Sequence, residues 1–126
     1  MFTEDDVIYA YTRAQAIDDG FLIDVTDVAR EAGFTVPVAV TAAVWGGCVE
    51  VPQNAIGQDE AGRLWDVLWM CRVSISGKHR SDSAMHFELH VADGNGGPPP
   101  LVTLKAVCGP DDDGNPCITI MMPDED

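Results

Sequence analysis

Met85-His86-Phe87-Glu88-Leu89-His90-Val91 decides the fold class, because apolar side chains fall on every second residue. That period of two places Met85, Phe87, Leu89 and Val91 on one face of a strand and His86, Glu88 and His90 on the other. The same alternation returns at Val102, Leu104, Ala106 and Cys108, and again at Ile118, Ile120 and Met122. A glycine- and proline-rich connection over residues 92–100 and the turn Asp111-Asp112-Asp113-Gly114 separate the three runs. They predict a three-stranded antiparallel meander.

Working outward, the period changes to that of helices. Ala61, Leu64, Trp65, Leu68, Cys71 and Ile75 recur at three- and four-residue spacing, which predicts a helix over residues 58–73 with a core-facing stripe. Trp69 flanks the stripe and widens it. The residues leave open whether Trp45, Trp65 or Trp69 line a partner groove instead. Residues 7–19 read as a helix stopped by Gly20, and residues 21–25 as an extended segment or docking loop. Thr26 is the expected N-cap of a short helix ended by Gly33. Thr35 is the expected cap of another helix over residues 36–45, with Pro37 in its first turn and Gly46-Gly47 as its stop. Valines in that run also favour strands. The expected architecture is α+β: one small domain over residues 1–126, a three-stranded antiparallel sheet packed against several helices.

Charge bounds the function. The 126 residues hold 7 Lys and Arg against 21 Asp and Glu, a formal net charge of −14. Colloidal stability of a small domain needs only roughly 2–8 units. Such a surface repels nucleic acid and anionic membranes and is drawn to basic protein surfaces. A conventional nucleic-acid binder would need clustered Lys and Arg, and only Lys78 and Arg80 stand close together. The amino terminus lacks the pattern of a secretory signal, and no run approaches the roughly 18–20 apolar residues of a membrane span. A cytoplasmic location is therefore expected, with the oligomeric state open. Cys48, Cys71, Cys108 and Cys117 lie far apart without CxxC spacing and read as buried thiols.

Carboxylates one strand pair or one helical turn apart approach the roughly 6–7 Å phosphate spacing of a single strand, given the rises of the two elements. Asp27 with Glu31, the turn Asp111, Asp112 and Asp113, and the tail Asp124, Glu125 and Asp126 offer such intervals. They are the candidate interaction residues of a nucleic-acid mimic, whose partner would be a basic nucleic-acid-binding protein. The rival constellation is His86-x-Glu88-x-His90, three ligand types on one strand face about 6.5–7 Å apart by Cα. It is compatible with a small metal-binding enzyme or sensor, with His79 arriving from the preceding loop. A solvated sheet face explains it as well, with Lys105 available to Glu88 across the sheet.

Other chemistry finds little support. Asp111 to Asn115 resembles the start of a calcium loop, but Pro116 stands at the glycine position and Met122 at the bidentate acid. GxSxG, GxxxxGK and GxGxxG are absent, so no catalytic residue and no cofactor are expected.

The stretches Ile8-Tyr-Ala-Tyr-Thr-Arg-Ala-Gln-Ala-Ile17, Glu31-Ala-Gly-Phe34, Pro37-Val-Ala-Val-Thr41, Ala43-Val-Trp45, Arg63-Leu-Trp65 and Asp66-Val-Leu68 carry a resemblance, as do Pro100 to Pro110 and Ile118 to Asp126. Together they resemble a family of short acidic bacterial proteins of unknown function, similar to cargo proteins of plasmids, integrative elements and phages. Membership implies an accessory role in a mobile element or its host interaction, one version being inhibition of a restriction or CRISPR complex. It supplies no catalytic residues.

Overall fold

The structure is a computed structural model that describes residues 12–53, 57–76, 83–94 and 96–125. In chain order the elements are α1 (Arg13–Asp18), β1 (Leu22–Asp24), α2 (Thr26–Glu31), β2 (Val38–Thr41) and α3 (Ala42–Val44). A π-helical turn, Trp45–Val49, follows α3; then come α4 (Glu60–Ser76), β3 (Ala84–His90), β4 (Leu101–Pro110) and β5 (Pro116–Met121).

The expected meander is present. Phe87 stands opposite Leu104, and Ala106 opposite Ile120, so the apolar sets of β3, β4 and β5 share one face. The sheet is larger than expected, however. It has five strands in the order β1-β2-β5-β4-β3, with β2 parallel to β5 and every other pairing antiparallel. A three-stranded sheet is therefore incorrect, and four α-helices pack around it among the described residues.

The error lies at β2. All four of its residues are buried. A strand covered on both faces has no polar alternation to reveal it, so Val38-Ala39-Val40 passes for the apolar side of a helix. The β-branched valines fit the pleat, and parallel pairing with β5 satisfies the backbone. Gly46 and Gly47 stop no helix; they lie inside the π-helical turn.

Nor is Thr26 the cap of α2. It is the first residue of that helix, and its hydroxyl donates to Asp24 Oδ1 at 2.5 Å and accepts from Val38 N at 3.2 Å. Of the helix expected over residues 7–19, Arg13–Asp18 is observed as α1; residues 7–11, and the basic segment 77–82, lie outside the described residues.

The core fills the space between α4 and one sheet face. Leu64, Val67, Leu68 and Cys71 meet Val38, Val40, Phe87, Leu89, Leu104, Ala106, Ile118 and Ile120. Full burial of each large aliphatic side chain contributes roughly 1.5–3 kcal/mol. Trp65 and Trp69 depart from expectation, being 37% and 47% exposed instead of lying in the core. On the opposite sheet face α1 packs beside β1, with Ala16 buried, and Arg13 reaches β5 at Thr119. Cys48, Cys71 and Cys117 are buried thiols, whereas Cys108 is exposed.

Candidate interaction surface

The expected interaction residues divide into two groups. Asp27, Glu31, Asp113 and Asp124 are exposed. Asp27 and Glu31 sit on α2, where Arg30 Nη1 approaches Asp27 at 3.9 Å. The other group serves the fold. Asp111 Oδ1 accepts the N–H groups of Asp113 and Asn115, both at 2.9 Å, closing the β4–β5 turn. Asp112 accepts from Arg13 N at 2.7 Å and Ala14 N at 3.0 Å. Glu125 Oε1 accepts from Thr41 Oγ1 at 2.8 Å and Met122 N at 2.7 Å, pinning the chain after β5 back onto β2. Asp126 lies outside the described residues.

The cations behave differently. Arg13 Nη2 donates to Ile118 O at 2.9 Å, and its Nη1 donates to Thr119 Oγ1 at 2.7 Å. Arg63, only 5% exposed, donates to Val49 O at 3.2 Å and Ala92 O at 2.9 Å. Arg72 Nε donates to Gly33 O at 3.3 Å, and Lys105 Nζ to Glu125 O. Four of the five described Lys and Arg side chains thus donate to main-chain carbonyl oxygens, and none of those four is exposed. None of the described Asp or Glu side chains is buried. Among the described residues, all the cations but the exposed Arg30 are drawn in against the backbone, and negative charge is left at the water interface.

His86, Glu88 and His90 are exposed on β3, on the face opposite Phe87 and Leu89. Lys105 stands opposite His86, not Glu88, whose cross-strand partner is Thr103. His90 Nδ1 lies 3.1 Å from Pro99 O. His79 falls outside the described residues. Among the described residues no three His, Cys, Asp or Glu side chains gather closely enough to hold a metal ion.

A cavity of about 340 Å³ opens beneath α1, lined in part by Arg13, Asp111, Asp112, Cys117 and Thr119. Its thiol is not an activated nucleophile. Burial pushes the Cys117 pKa up, an effect that Arg13 opposes and that Asp111, Cys108 and Asp112 reinforce. Burial raises Cys48 as well, against the pull of Arg63, and holds Cys71 at about 12.

Sequence reasoning missed one feature. Trp65 and Trp69 stack on the outer side of α4, ring centroids 6.1 Å apart and planes inclined by 9°. The available signal was the width of the apolar pattern, since a helix with apolar residues beyond its core stripe has a second surface to cover.

These observations define a small acidic α+β domain with outward carboxylates and an exposed tryptophan pair. The chain belongs to the family of unknown function DUF6573, whose model matches residues 1–126. Neither a curated protein nor a solved structure matches it. No helix among the described residues is long and apolar enough to cross a membrane.

Proposed function

We propose that this chain is a non-enzymatic acidic interaction module that engages a basic protein surface in the cytoplasm. In its finer form the reading is a nucleic-acid mimic carried by a bacterial mobile genetic element. It would occupy the basic channel of a host defence complex, in the manner of an anti-restriction or anti-CRISPR protein. The observation that carries the reading is the opposed placement of charge: the described carboxylates stay at the surface, while Arg13, Arg63, Arg72 and Lys105 turn onto carbonyl oxygens. With net −14 on 126 residues, the resulting field repels phosphate and attracts Lys- and Arg-lined channels.

Affinity capture from a bacterial lysate at two salt concentrations tests this reading against an acidic protein of equal charge. Basic nucleic-acid-binding proteins should be retained by this chain, be released as salt rises, and be enriched over the control. Equal retention by both proteins would refute a specific role.

A further inference from the structure

The core stripe of α4, Leu64, Val67, Leu68 and Cys71, is satisfied by the sheet, yet the helix carries a second apolar line. Trp65, Trp69 and Val73 follow at successive intervals of four residues and are 37%, 47% and 47% exposed. Residues spaced this way share a helix face. Ala61 and Gly62, both exposed, extend the face toward the start of α4. The two indoles lie parallel to one another, and both are exposed.

Among the described residues the exposed charges beside this line are carboxylates, while the half-buried Arg72, three residues beyond Trp69, donates to Gly33 O. Asp66 lies between Trp65 and Trp69 along the sequence, on the side of α4 that meets Arg63 and His90, and Asp59 and Glu60 stand at the N-terminal end of α4, all three exposed. Both arginines of the helix reach elsewhere, Arg63 to Val49 O and Ala92 O and Arg72 to Gly33 O. An apolar stripe with a carboxylate rim is complementary to a cationic amphipathic segment.

We propose that this face of α4 docks an arginine-bearing amphipathic helix of a basic protein, with guanidinium groups over Trp65 and Trp69 and paired with Asp66. The inference rests on the acidic-module reading and locates its contact site. Arginine fits better than lysine, because its planar, weakly hydrated group stacks on an indole face while an ammonium holds its water. A second copy of this chain fits poorly, since it brings another Asp66 and another net −14.

The test is fluorescence anisotropy of the full chain with three labelled helical peptides: an arginine–leucine amphipath, its lysine counterpart of equal charge, and its glutamate counterpart. The arginine peptide should bind about tenfold more tightly than the lysine peptide, the scale of a desolvated cation–π contact. Trp69→Ala should erase that preference, and Asp66→Asn should weaken both cationic peptides. Circular dichroism confirms that each variant folds, and the peptide comparison on the unaltered chain needs no variant. Equal binding of the two cationic peptides, or a preference surviving in Trp69→Ala, overturns the site and leaves the acidic-module reading standing. No binding of either cationic peptide removes both. Mass measurement should give a monomer, and a dimer dispersed by Trp69→Ala would assign the face to a second copy and overturn the inference.

Discussion

Asp112 accepts the backbone N–H of Arg13 at 2.7 Å across a separation of 99 residues, tying the β4–β5 turn to the first turn of α1. Its other oxygen takes the N–H of Ala14 at 3.0 Å, while Thr12 Oγ1 takes that of Gln15 at 3.0 Å. The otherwise unpartnered donors opening α1 are thereby satisfied by two different side chains. Asp112→Ala is expected to lower stability by about 1 kcal/mol, the usual loss of a capping carboxylate. A reduced urea midpoint with unchanged slope would register it. An unchanged midpoint would mean that the contact contributes nothing.

Arg63 is a buried cation of α4. It links α4 to the end of the π-helical turn at Val49 O and to the segment after β3 at Ala92 O. Arg63→Met leaves both carbonyls without this donor and should cost about 3 kcal/mol. Arg63→Lys should recover little, because one ammonium cannot span two carbonyls in a fixed fork. Chemical denaturation of the two variants side by side measures both effects.

The meander was legible because β3, β4 and β5 each have one wet or partly wet face, so Phe87 and Leu89 alternate visibly with Glu88 and His90. By contrast β2 is buried on both faces and β1 is three residues long, leaving neither alternation nor length to betray a strand. The candidate acids were legible as charges, but their bonds were not. Asp112 and Glu125 find partners in Arg13 and Thr41, which only the completed topology brings near. Trp65 was misplaced because periodicity marks a helix face without saying whether a sheet or water lies beyond it.

The thiols give a pH prediction with a definite sign. Burial raises the folded pKa of Cys71 from 9.0 to about 12, so the native chain holds its proton where the unfolded chain releases it. Its contribution is full below pH 9.0 and falls as pH rises toward about 12. Cys71→Ala is expected to be less stable at neutral pH, through the cavity it leaves, and to show a shallower alkaline decline. Denaturation midpoints across that range compare the two slopes. Under native conditions a thiol reagent should modify exposed Cys108 well before buried Cys48, Cys71 and Cys117.

Displacement of duplex DNA from a purified basic DNA-binding protein tests the charge arrangement most directly. Titrated at low salt, this chain should release the duplex, and the concentration needed should climb steeply as salt is added. A duplex that stays bound at every concentration of the acidic chain would contradict the account.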